Sequence, residues 1–347
     1  IFILLFVSSI VFFNLQKTSK EADLAFASQI EAIDDLRSQA EARVIYKDDA
    51  SARALLNDAL TQLNTLDAKG KEARQNEIDL RQQEIANELN AVRKVLVPQI
   101  TSTPIVNQLV SASSISTLFF QDGAIGVFVD GNISFSTPSG GSSATKLATN
   151  YNGDAVTINA DNAFIYFNST DNAMSTIGIN TVEGEAENAR DLVHYGERLY
   201  VLSNDTIYRH QRVEGGEYGP GSRWIQDGTE LTGAQSIAID GTLWVGGEGT
   251  LQHFDKGLEV GASGQSIDPP LGTVKDLWTD TDVSIVFVLD PSNHRVVAYS
   301  KETADMIGQF VDNAFNDAIN ISIDIGSKTA TVVSPTTIHT FSIGEVL

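Results

Sequence analysis

From residue 115 onward, short apolar strands alternate with polar turns in a pattern that returns six times. The leading strands read Ile125-Gly126-Val127-Phe128-Val129, Phe164-Ile165-Tyr166-Phe167, Leu199-Tyr200-Val201-Leu202, Leu243-Trp244-Val245-Gly246, Ile285-Val286-Phe287-Val288-Leu289 and Ala330-Thr331-Val332-Val333. With Phe128, Tyr166, Val201, Val245, Val288 and Val332 taken as equivalent, the steps are 38, 35, 44, 43 and 44 residues. A partner strand follows each one, as in Thr206-Ile207-Tyr208-Arg209, Arg295-Val296-Val297-Ala298-Tyr299 and Thr337-Ile338-His339-Thr340-Phe341; Ala173-Met174-Ser175-Thr176-Ile177 is the poorest match. The partners alternate apolar with polar residues, the period of a half-buried antiparallel strand. Turn formers such as Asp130-Gly131 and Asp290-Pro291-Ser292-Asn293 separate the pairs. A further strand precedes them, clearest in Ser236-Ile237-Ala238-Ile239-Asp240 and Ile321-Ser322-Ile323-Asp324. Units of about 40 residues with several strands each predict a mainly β chain whose residues 115–347 form a six-bladed β-propeller. A β-sandwich of regular hairpins is the alternative fold, but it gives no reason for near-equal steps.

Between residues 17 and 97 the apolar period lengthens to that of a helix. Phe26, Ile30, Ile33, Ala40 and Val44 mark one face, and Leu56, Leu60 and Leu63 mark a second helix capped by Asp49. After Gly70, the residues Ile78, Ile85, Leu89, Val92 and Leu96 follow at heptad-like steps until Pro98. This segment predicts a helical stalk, either two or three packed antiparallel helices or a dimeric coiled coil that makes the chain a homo-oligomer. Residues 98–114 are a linker, in which Ile105-Val106-Asn107-Gln108-Leu109-Val110 is a candidate ring-closing strand.

Residues 1–13 carry no charge and only two serines, yet a membrane span needs about 20 apolar residues. Because the sequence opens on Ile1, residues 1–16 are read as the end of a truncated transmembrane helix that anchors the protein in the membrane. A signal peptide is the rival, without a basic start or a small-residue cleavage pattern.

Charge and composition narrow the function. Residues 17–97 hold 12 basic and 15 acidic side chains, whereas 98–347 hold 11 and 30. So acidic a region repels nucleic acid over a Debye length of about 8 Å, and no nucleic-acid partner is expected. There is no cysteine, hence neither a disulfide nor a thiolate metal site. His194, His210, His253, His294 and His339 are dispersed, so no short metal motif exists, and no cofactor is expected. Asp280-Thr281-Asp282, Asp161-Asn162 and Asp312-Asn313 with Asp317 supply oxygen ligands but match no calcium-loop spacing. Neither a nucleophile elbow nor a phosphate-binding glycine loop is present, and no catalytic residue is assigned. Trp244 aligns with Tyr200 and Phe287 and is expected to pack between blades. Trp224 and Trp278 lie outside the repeated pair and, with Asp280 and Asp282, are the candidate ligand-binding residues on a propeller face.

The run Ser236-Ile237-Ala238-Ile239-Asp240-Gly241-Thr242-Leu243-Trp244-Val245, the phrase Val288-Leu289-Asp290-Pro291-Ser292-Asn293-His294-Arg295-Val296-Val297 and the closing Ile321-Ser322-Ile323-Asp324-Ile325-Gly326-Ser327 resemble a group of bacterial membrane proteins. In that group a cytosolic domain similar to PPM-type serine/threonine phosphatases is followed by a transmembrane helix, a helical linker and a propeller. The stretch from Asp290 to Val297 also resembles the strand junction of NHL-type propellers. The resemblance implies that the present portion senses or binds a protein or small molecule outside the cell, while any catalytic domain lies elsewhere. None of the phosphatase's metal-binding aspartates can be placed here. Two other functions fit the same architecture: a lactonase-like, calcium-dependent propeller hydrolase and a scaffold for envelope assembly.

Overall fold

A computed structural model describes residues 2–68, 70–104, 127–129, 132–134, 147–149, 155–158, 164–168 and 173–176. From 189 onward it describes all but 204–205, 215–217, 227, 232, 264–266 and 335–336. For residues 2–19, 103–104 and 262–263, and for the strands between 127 and 176, the description is of the backbone. The chain divides into two compact units, Ile1–Val95 and Leu96–Leu347.

The first unit is three helices: α1 (Phe2–Ile45), α2 (Asp49–Asn64) and α3 (Glu72–Val92). Asp48, one residue before the expected cap, accepts the Ser51 N–H and satisfies an orphan donor of the first turn of α2. Gly70 takes a φ of +71°, open to glycine at no steric cost, in the turn to α3. Phe26, Ile30, Ile33 and Ala40 pack with Ala52, Leu56, Ala59 and Leu63 and with Ile78, Ile85, Leu89 and Val92. Burying a side chain of this size contributes about 1.5–3 kcal/mol. Asp23 pairs with Lys71 and Arg74, Asp34 with Arg81, and Arg37 with Glu84 and Glu88. Those pairings ascend along both helices, so α1 and α3 run in the same direction and α2 returns between them. Apart from Val44, which is exposed, the apolar stripes are thus covered within one chain, and the dimeric coiled coil with its stalk-mediated oligomer has no support. The truncated transmembrane helix fares likewise. Residues 2–45 form one continuous helix, and among the described residues no helix is long and apolar enough to cross a membrane.

The second unit is built of antiparallel meanders in which the first strand of each sheet is innermost. Four sheets have four strands, and a fifth has five. The strands that begin these sheets, Leu147–Thr149, Ala189–Tyr195, Ser236–Ile239, Asp276–Trp278 and Asn320–Asp324, lie side by side in succession, which is the arrangement of a β-propeller. The expected six complete blades are not present among the described residues. The sheet of the first repeat is only the pair Val127–Val129 and Asn132–Ser134.

Two departures from the meander matter. The blade of 320–342 takes its outer strand from Thr101–Pro104, paired Thr101 to Thr340 and Ser102 to His339. The expected closing strand at 105–110 lies outside the described residues, and the polar segment just before it does that work. The blade of 276–311 takes Val95–Leu96 as a fifth strand on its outer edge.

Between blades, apolar layers alternate with buried polar ties. Trp244, Leu251, Val274, Leu277, Val288, Val297 and Tyr299 form one layer, with Trp244 packed between blades as expected. At the inner strands, the Asp191 carboxylate accepts the N–H of Leu192 at 2.8 Å and of Ile237, in the next blade, at 2.7 Å. Ser236 accepts the Leu277 N–H at 3.0 Å and donates to Asp276 at 3.2 Å. Each tie satisfies a donor that would otherwise be buried unpaired.

The junction from Asp290 to Arg295 is a buried ion pair. Arg295, fully buried, donates to Asp290 Oδ2 at 2.9 Å, to Gln309 at 2.7 Å and to the carbonyls of Pro269 and Pro270 at 2.8 and 2.9 Å. Asp290 also accepts from Gly272 N–H and Asn293. With most of its donors engaged, the guanidinium meets the condition under which a buried charge is tolerated. The motif therefore pins the loop that enters the blade to the turn between that blade's middle strands.

Candidate functional site

The strand Asp276–Trp278 buries Asp276 and Leu277 and delivers its last residue, Trp278, half-buried at the rim, where the indole meets Phe287 edge-on at 6.1 Å. A polar corner follows, from 279 to 284. Asp280 accepts the Asp282 N–H at 3.0 Å and the Thr281 hydroxyl at 3.3 Å, the self-bonded turn that aspartate favours. Both carboxylates of the corner, Asp280 and Asp282, are exposed.

The corner is held from two sides. Lys301, from the turn after the third strand of the same blade, donates to the Asp280 carbonyl at 2.6 Å. Its ammonium also pairs with Asp240 of the preceding blade at 2.6 Å, with side-chain exposures of 18% and 4%. Asp240 further accepts from the N–H and hydroxyl of Thr242, at 3.0 and 2.7 Å, and from Thr279 at 3.4 Å. Burial alone raises the Asp240 carboxyl, but the hydrogen bonds from Lys301 and Thr242 and the lysine charge bring it below the usual carboxylate range. Beside this group His253 stacks on Trp244 with ring centres 3.9 Å apart and planes at 4°. Burial pushes its imidazole below its ordinary value, opposed by the charges of Asp240 and Asp255. Chemically, the arrangement presents two carboxylates on a turn fixed by a largely buried ion pair, next to Trp278, which packs against the core.

Three of the four sequence candidates, Trp278, Asp280 and Asp282, thus share one corner. Trp224 is elsewhere. It is 7% exposed and lies edge-on to Tyr200 and Phe254 in the layer between the blades of 189–223 and 236–263. Asp240 and Lys301 escaped the sequence reading, since Asp240-Gly241 reads as an ordinary turn and nothing local connects it with a lysine 61 positions on. The histidines have separate settings: His210 bonds the Gly219 carbonyl, His294 meets Asn313 and His339 meets Ser102. Asp312 caps the short helical turn at Asn313–Phe315 through the Ala314 N–H, and Asp161-Asn162 lies outside the described residues. Among the described residues no group of three or more His, Asp or Glu converges as a metal ligand set.

The helical unit has a concavity of its own, about 850 Å³, lined by Asp34, Arg37, Glu41, Leu56, Glu84 and Glu88 among others. Its central charges are already spent on one another, Arg37 bonding Glu88 at 2.5 Å and Glu84 at 2.7 Å.

No protein-family model matches the chain, and no curated protein does. Among solved structures, the chain is similar to Hsv2 of Kluyvelomyces marxianus, 12% identical, over 56% of this chain and 58% of that one, with a TM-score of 0.38. A second similarity is to Hsv2 of Kluyveromyces lactis, 9% identical, over 55% and 58%, with a TM-score of 0.33. The chain therefore matches little more than half the length of each.

Proposed function

We propose that this portion is a non-enzymatic binding or sensor module, and that the 278–282 corner receives a cationic group of a protein or small molecule. The observation that carries this reading is the pair of exposed carboxylates, Asp280 and Asp282, beside the half-buried Trp278 on a turn locked by Lys301. Exposed carboxylates suit an ammonium, and the acidic balance of residues 98–347 draws such ligands in. The test is titration with spermidine and with trilysine, followed by tryptophan fluorescence. Binding should weaken at least about tenfold in the Asp280→Asn, Asp282→Asn double variant. Equal binding by the double variant would remove the corner from the reading.

The same proposal places the module at a membrane, with the propeller on the extracytoplasmic side, as the sensing half of a phosphatase-like signalling protein. Support comes from the apolar residues 1–13 and the resemblance of the repeat phrases. Protease added to intact cells should then cleave the propeller. Protection of the propeller until the cells are lysed would reverse the placement.

A further inference from the structure

Outer blade strands leave one row of backbone N–H and C=O groups unpaired, and proteins ordinarily blunt such edges by shortness, proline, lysine or a cover. Four described outer strands follow that rule, Ala173–Thr176 by its length of only four residues. Ser222–Arg223 has two residues, Thr101–Pro104 ends in proline, and Met306–Val311 is covered by Val95–Leu96. Leu258–Ser263 does not. It has six residues, contains neither lysine nor proline, and ends its sheet with no strand beyond it among the described residues. Leu258 and Val260 on it are 49% and 57% exposed.

This open strand is the structural counterpart of the covered one. In the blade of 276–311 the register shifts between Ala298 and Tyr299, which pair with Gly308 and Met306 and leave Ile307 as the extra residue. In the blade of 236–263 it shifts between His253 and Phe254, which pair with Gly261 and Glu259 and leave Val260 as the extra residue. Both outer strands are six residues long with one bulge near the start. The bulge therefore does not bar strand addition, because the strand with Ile307 already carries a fifth.

We propose that the outer edge of Leu258–Ser263 is a docking site for an extended, lysine-bearing peptide segment of another protein, which adds as a fifth strand in the way Val95–Leu96 adds to the neighbouring blade. Backbone hydrogen bonds would supply affinity, and Leu258 and Val260 would meet apolar positions of the incoming strand. Charge selects the occupant. Residues 98–347 hold 11 basic and 30 acidic side chains, with Glu259 on the edge itself, so a second copy meets its own repulsion where a basic segment is attracted.

The probe is a fluorescein-labelled heptapeptide in which lysine and valine alternate, read by fluorescence anisotropy. It is used on the Asp280→Asn, Asp282→Asn protein so that the 278–282 corner does not contribute. Binding should weaken at least about tenfold when alternate backbone nitrogens of the probe are methylated, since only the strand hydrogen bonds are then lost. Val260→Lys in that protein should weaken it comparably, the same substitution made in the wild type should leave spermidine binding intact, and the methylated probe decides the question even if that variant fails to fold. Equal binding of the methylated and plain peptides overturns the proposal, as does no binding of the plain one. A wild-type dimer that Val260→Lys dissociates overturns the chosen occupant in favour of a second copy.

Discussion

Asp276 and Ile321 belong to neighbouring blades, and the Asp276 Oδ2 accepts the Ile321 N–H at 2.9 Å while Oδ1 accepts the N–H of Leu277 at 2.8 Å. One buried carboxylate thereby satisfies donors of two sheets. Asp276→Ala leaves the Ile321 donor without its acceptor and weakens the Leu277 site, where Ser236 remains. A loss of about 2–4 kcal/mol is expected, read as a lower urea midpoint with an unchanged slope. Asp276→Asn keeps one acceptor oxygen and should cost clearly less. Equal losses in the two variants would mean that the tie is steric.

Arg295 and Asp290 are both fully buried and 2.9 Å apart. Arg295→Met leaves the Asp290 carboxylate buried without its cation and should destabilise by about 3–5 kcal/mol. The double change Asp290→Asn, Arg295→Met removes the orphaned charge and should recover part of the loss. Additive effects in that cycle would show that the two side chains act independently.

His253 and His339 both have imidazoles held below their ordinary value of 6.5, chiefly by burial. A lowered value in the folded state means that the unfolded chain takes up these protons first. Stability is therefore full above about pH 6.5 and falls as the pH drops through the folded-state values. His253→Phe keeps a ring against Trp244 and removes one of the two titrations. Between pH 7.5 and 5 its melting temperature should fall less than the wild type's, by up to roughly 3 °C after allowance for solvent screening of the half-exposed ring. An unchanged pH dependence would assign the acid sensitivity to other groups.

Strands that bury one face were legible because their alternation is a direct imprint of that burial, as in Thr337–Ser342, whereas Arg295–Ser300 is buried on both faces. The closing strand was not. Thr101-Ser102-Thr103 is polar, as an outermost strand can be, so the apolar run just after it drew the assignment instead. Trp224 read as surface because it sits outside the repeated pair, yet the Trp224 N–H bonds the Ile207 carbonyl and swings the indole onto Tyr200. At the corner, Asp280 and Asp282 carry local turn chemistry, which is what singles them out in the sequence. Lys301 and Asp240 meet only because two blades stack, a relation with no local signature. The motif from Asp290 to Arg295 was visible as a phrase, but not that its charges are wholly buried.

The pairing of Thr101 with Thr340 spans 239 positions. During synthesis the early strand must therefore wait for the last one. At about 5–20 residues per second that delay is roughly 12–48 seconds. Throughout that interval the segment Thr101–Pro104 has no strand to pair with. The blade of 320–342 consequently cannot be completed before translation has passed Thr340.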